Sequence, residues 1–166
     1  MTIQTLFGTE DIMTKKHKPV RFKVVRPIFE TLTIRDEIST YFGKTRYTDP
    51  EQIFNSFKWL QRESKEWFIA VHLDSKNVIQ CIDVVSVGSM NQSIVNVREV
   101  FKSALLTSCM AMILIHNHPS QNVEPSREDI SITGRLKEAG ALLSIPILDH
   151  IIIGETYYSF VSNGLM

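Results

Sequence analysis

Residues 111–129 read AMILIHNHPSQNVEPSRED, and this run decides the architecture. Ala111 to Ile115 is short and continuously apolar, the pattern of a strand buried on both faces. His116 to Pro125 is polar and bounded by prolines, which reads as a loop. Ser126-Arg-Glu-Asp129 then opens a helix ending at Gly140: a serine can cap the first N–H groups and two acids meet the positive helix end. A buried strand that hands over through a loop to a helix is a unit of an α/β domain.

Working outward, Asp49 can cap a helix, Pro50 fits its first turn, and Ile53, Phe54, Phe57 and Leu60 recur at three and four spacing, which predicts a helix over about 50–63. Glu66 to Leu73 and Val78 to Val87 flank the turn Asp74-Ser-Lys-Asn77 and read as a hairpin, punctuated by Gly88 to Asn91. A second helix is expected over about Arg98 to Ser108, with Glu99 in its first turn and Val100, Phe101, Ala104 and Leu105 on one face. Ile145 to Ile153 and Tyr157 to Val161 are two closing strands around Gly154. Tight hairpins among alternating strands and helices predict a mixed β-sheet flanked by helices. Residues 1–20 read as a polar tail closing on Lys15, Lys16, His17 and Lys18, and strand-like RFKVV and FETLTI follow on either side of Pro27. The expected organisation is therefore a tail and short extension over 1–45 and one domain over 46–166.

Composition narrows the functional classes. The 166 residues are 43% apolar and 22% charged, with 18 basic against 18 acidic side chains, which argues against disorder and against a coiled coil. Residues 1–45 hold 8 bases and 5 acids and residues 46–166 hold 10 and 13, so the domain lacks the basic footprint of phosphate-backbone binding. The longest apolar stretch, near Ala141 to Ile153, is broken by Ser144, Pro146, Asp149 and His150 and is too short to span a bilayer. The first residues, MTIQTLFGTEDIMTKK, place acids before bases with no apolar core, unlike a signal peptide, so the expected location is the cytoplasm. Cys81 and Cys109 form no C-x-x-C, and both read as buried thiols.

The chemistry-bearing residues gather at the end of the decisive strand. His116 and His118 are two apart, so on a strand they share a face with Cβ atoms about 6–7 Å apart, close enough to converge on one ion. Asp129 follows after a loop that can fold back and present a carboxylate. Two histidines, one aspartate and an open position describe a hydrolytic zinc site. Ser126 and Asp129 are also spaced as a capping box, and spacing alone does not separate ligand from cap. His150 reads as a structural group or one backing the site, Trp59 and Trp67 as core or rim packing, and His72 and His17 have no motif partner.

His116-Asn-His-Pro119, six residues, Ser126, two residues and Asp129 match the His-x-His-Pro-x6-Ser-x2-Asp signature of JAB/MPN (JAMM) metalloproteases without a gap. VREVFKSAL, ILIHNHPS, EPSREDISIT, AGALLSIPILDHIIIG and YYSF resemble the bacterial RadC-like branch, over about residues 48–166. The resemblance implies a three-layer, cytidine deaminase-like α/β domain with one zinc per chain held by His116, His118 and Asp129. It implies a glutamate at the start of the first core strand as general base, matched here by Glu66; Glu99 is the alternative, although an acid opening a helix is already explained by the helix dipole. Ser126 would donate to the oxyanion, and the reaction would be amide hydrolysis in a peptide or protein substrate. Gln121 stands where RadC-like relatives usually carry glycine, Asn96-Val97 replaces their usual His-Pro, and the frequent N-terminal helix-hairpin-helix module has no counterpart here.

Two other classes compete with the hydrolase. JAB/MPN folds also serve as non-catalytic scaffolds, against which stands the complete ligand set. A DNA repair-associated accessory role is suggested by the RadC name and the basic tail, but a nucleic acid is not the expected direct ligand. His116-Asn-His118 spells HNH only by accident, since HNH nucleases spread those residues over a longer motif, and the H-x-E and P-C-x-x-C of zinc deaminases are absent.

Overall fold

In a computed structural model, residues 46–88 and 95–166 are described. The expected tail and strand-like extension within 1–45 and most of the Gly88–Asn91 punctuation lie outside these residues. The first helix, α1 (Pro50–Phe57), starts where Asp49 accepts from the Glu51 N–H at 2.7 Å. It does not run to 63 as expected: beyond Phe57 the chain tightens into a 3-10 turn, Lys58–Arg62, closed by the Glu63 N–H on the Leu60 carbonyl. The carbonyl of Gln61 accepts from the Gln121 side chain at 3.0 Å, so a long-range partner replaces the intrahelical one.

Strands β1 (Glu66–Leu73) and β2 (Ile79–Gly88) form the predicted hairpin. Its turn is held by Asp74, whose Oδ1 accepts from Lys76 N and Val78 N, and by Asn77 at φ 59°, a left-handed position asparagine tolerates. Helix α2 (Val97–Thr107) is capped by Asn96. It leads into β3 (Ala111–Asn117), buried along its whole length. After the loop comes α3 (Arg127–Leu143), then β4 (Ile147–Ile153) and the short β5 (Tyr157–Ser159).

Helix α3 outruns its expected end at Gly140 by three residues. The left-handed cap is Ser144 at φ 57°, while Gly140 sits where a Cβ would lie 2.5 Å from the Ile145 carbonyl oxygen. Gly140 is thus there for close approach and not for capping. The sheet order is β2-β1-β3-β4-β5, with β3 antiparallel to β1 and parallel to β4. The mixed sheet is as expected from its hairpins and crossover.

Strand alternation splits the core in two. Ile69, Val71, Leu73, Ile113, Ile115, Ile151 and Ile153 pack against Ile53, Phe57 and Leu60 of the first helical segment. Phe68, Ala70, Met112, Leu114 and Ile147 face Val100, Phe101 and Ala104 of α2 and Leu136 of α3. Helices thus cover both faces, giving three layers, and each fully buried aliphatic side chain contributes roughly 1.5–3 kcal/mol. Trp59 and Trp67 meet edge-on at 5.5 Å beside the first cluster. Cys109 is buried, whereas Cys81 is half-exposed on the edge strand β2, less covered than its apolar setting predicts. Among the described residues no helix is long and apolar enough to cross a membrane.

Candidate metal centre

The C-terminal end of β3 lies where α3 begins, and that junction assembles the site. His116 is the penultimate strand residue, fully buried, with its ring stacked over Phe68 of β1 at 6.2 Å. His118 is the first residue past the strand, but its N–H still donates to the Ile153 carbonyl at 2.9 Å, so β4 holds it in line. Its Nδ1 is 2.6 Å from the Asn122 carbonyl oxygen. A carbonyl only accepts, so Nδ1 carries the hydrogen and Nε2 presents a lone pair.

Asp129 arrives from the other side as the third residue of α3. The capping box is complete: Ser126 N and Ser126 Oγ donate to Asp129 Oδ2 at 2.8 and 2.6 Å, and Asp129 N donates back to Ser126 Oγ at 3.1 Å. Cap and candidate ligand are therefore the same carboxylate: the capping box is formed, and the group that forms it also faces both histidines. Asp129 Oδ1 lies 3.3 Å from His116 Nε2, Oδ2 lies 3.6 Å from His118 Nε2, and the two Nε2 atoms are 3.0 Å apart.

The electrostatics fit a cation. Burial raises the Asp129 carboxyl, but the facing His116 and His118 rings and the Ser126 hydroxyl outweigh it and hold the group well below the usual carboxylate range. Burial pushes His116 down despite the pull of Asp129. For His118, burial is outweighed by Asp129, the Asn122 carbonyl and Glu66, so its pKa is raised. One carboxylate and two imidazoles with all candidate ligand atoms within 4.8 Å of one another form a group able to hold a metal ion. A tetrahedral zinc with Zn–N near 2.0–2.1 Å keeps its nitrogens about 3.3 Å apart, near the separation observed. The donor set fits the ion.

Glu66 and Ser126 line the same cleft, of about 790 Å³, together with Ser120, Asn122, Glu128 and Arg135. Glu66 opens β1 on the rim beside the histidines. Glu99 is elsewhere: it pairs with Lys102 and Arg98 on the exposed side of α2 and does not line the cleft. His150 lies against His116 but outside the three-residue cluster. His72 is buried against Ser103 and Thr107 of α2, away from the site, and His17 lies outside the described residues.

A sequence model of the RadC-like JAB domain matches residues 47–165. The chain belongs to the RadC-like JAB family. Among curated RadC-family relatives, a UPF0758 protein of Geobacter sulfurreducens is 52% identical over 123 residues, covering 73% of this chain and 54% of the relative. One from Methanosarcina mazei is 49% identical over 144 residues, covering 86% of this chain and 62% of the relative. The chain thus spans about half to three fifths of the length of these relatives.

Within this RadC-like domain Asn117 is a supporting residue that the sequence did not single out. Asn117, between the two histidines, points to the opposite face and is 1% exposed. Its Oδ1 accepts from Trp67 N at 2.7 Å and its Nδ2 donates to Lys65 O at 3.0 Å, gripping the backbone on both sides of Glu66. The available signal was a buried amide at the end of an otherwise apolar strand, which needs partners.

Proposed function

We propose that the chain is a zinc-dependent metallopeptidase of isopeptidase type that hydrolyses an amide bond in a peptide or protein substrate. The observation that carries this reading is the convergence of His116, His118 and Asp129 in an open cleft with a carboxylate, Glu66, on its rim. Imidazole and carboxylate donors suit zinc, with one ion per chain. The bound ion would supply Lewis acidity to polarise the scissile carbonyl and to acidify the attacking water.

The chain's own groups do the rest. Glu66 takes the water proton and delivers it to the leaving amine. Asp129 stays ionised, which keeps the ion's charge partly balanced. The Ser126 hydrogen is committed to Asp129 Oδ2 at 2.6 Å, so its first contribution is to aim that carboxylate. Donation to a developing oxyanion requires it to swing off Asp129.

The test is Glu66→Gln on the full chain, assayed against peptide and isopeptide substrates with metal content measured alongside. The variant should keep its metal and lose about 10²–10⁴-fold in rate, the usual worth of a general base. Equal activity would remove Glu66 from the mechanism. A fully metallated wild type that cleaves nothing would turn the assignment to a non-catalytic scaffold.

A further inference from the structure

Behind the cleft, four groups on three elements form one chain of hydrogen bonds. The Asp129 backbone carbonyl can only accept, so Thr133 Oγ1, 2.5 Å away, donates to it. With its hydrogen spent, the Thr133 oxygen accepts from His150 Nδ1 at 2.6 Å, which places a hydrogen on that nitrogen. The His150 ring has no exposure and its two nitrogens face a hydroxyl and another imidazole, the setting of a neutral ring with one hydrogen, so its Nε2 is bare. That Nε2 lies 2.8 Å from His116 Nδ1, which must therefore donate, and His116 Nε2 is left with a lone pair.

We propose that His150 and Thr133 are positioning residues that fix the tautomer of His116, so that its Nε2 lone pair is presented to the metal before the ion arrives. The chain starts at the Asp129 carbonyl and ends at His116 Nδ1; the bare His116 Nε2 then faces the Asp129 carboxylate at 3.3 Å and His118 Nε2 at 3.0 Å, acceptors that a shared cation would bring together. At the Thr133–His150 and His150–His116 contacts a wrong tautomer sets two hydrogens or two lone pairs face to face inside a buried layer, where nothing else can satisfy them. The sheet and core keep the rings in place. On parallel strands His150 pairs with Leu114, so it shares a face with His116 one step along. Its ring stacks on Phe160 at 4.8 Å and meets Phe68 edge-on at 5.6 Å. It has no exposure and does not line the cleft, so it acts through His116 and not on substrate.

This inference rests on the metal-centre reading, and its test separates the two. Zinc affinity of the full chain is measured by competition with a chromophoric chelator for wild type, Thr133→Val and Thr133→Ser. Valine keeps the shape and removes the acceptor for His150; it should weaken zinc about tenfold to hundredfold, the usual cost of losing a partner behind a ligand. Serine restores the hydroxyl and should restore the affinity, which a purely space-filling role would not predict. Valine binding zinc as tightly as wild type overturns the proposal.

Should the valine variant fail to fold, ring-nitrogen NMR of the wild type decides. His116 and His150 should both carry hydrogen on Nδ1 and none on Nε2; hydrogen on His150 Nε2 refutes the relay. A wild type that takes up no zinc contradicts the metal centre instead, and the same spectrum of the metal-free protein still tests the relay.

Discussion

At Asp129 the two carboxylate oxygens are used differently. Oδ2 takes both Ser126 hydrogen bonds, while Oδ1 stands nearest His116. Helix capping and ligand placement are therefore coupled through one side chain. Ser126→Ala should cost about 1 kcal/mol, within the 0.5–2 kcal/mol typical of a lost cap, and should also weaken zinc binding by freeing the carboxylate. Denaturant unfolding of the metal-free protein reads the first effect and chelator competition the second; loss of stability with unchanged zinc affinity would uncouple them. The candidate cluster of His116, His118 and Asp129 was suggested by type and spacing and singled out by the family resemblance, because a strand end and a helix start place side chains by local geometry. Asn117 and Thr133 were not, since their partners at Lys65, Trp67 and His150 are brought near only by the fold.

At the scale of elements, the loop between β3 and α3 carries His118 and is pinned from outside. The Gln61 side chain donates to the carbonyls of Gly154 and Glu155, and Gln121 reaches back to Gln61. Gln121 itself is left-handed at φ 66°, where glycine would sit without strain, and its side-chain bond to Gln61 offsets that cost. A Cβ on Gly154 would lie 2.5 Å from the Gln121 carbonyl oxygen and 2.8 Å from Val123 Cγ1. Gly154→Ala should therefore push the loop outward and cost about 1–3 kcal/mol, the usual range for overpacking. It should lower zinc affinity as well, although position 154 touches no ligand; a melting temperature and affinity equal to wild type would show the loop to be slack. The same pinning explains why α1 gives way to a 3-10 turn, which periodicity within 50–63 could not reveal. Strands and their order of appearance were readable because alternation and turn residues are local signals. The overrun of α3 past Gly140 was not, because that glycine answers to a contact with Ile145.

For the whole molecule, three histidines among the described residues, His72, His116 and His150, are fully buried on the face covered by α2 and α3, and burial disfavours the charged form of each. Burial, only partly offset by Asp83, lowers His72 below 6.5, and burial lowers His150 well below it. Where the folded pKa is depressed, the unfolded chain binds more protons below about 6.5, so this contribution to stability is present above that pH and lost as pH falls. The metal-free protein should melt at progressively lower temperature as pH drops below about 6.5, and His72→Gln should flatten part of that slope. Identical slopes for the two proteins would remove His72 from the account. His118, raised above 6.5 by Asp129, works in the opposite sense and loses its contribution as pH rises. Three layers could be anticipated from the family resemblance, yet which strand face met which helix required the register.

His116, His118 and Asp129 are proposed to hold one metal ion. Elemental analysis of wild type and Asp129→Ala, purified identically, tests it most directly. Near-stoichiometric zinc in the wild type, falling sharply in the variant, is the predicted result. Little metal in the wild type, or the same content in both proteins, would contradict it and leave Asp129 as a helix cap alone.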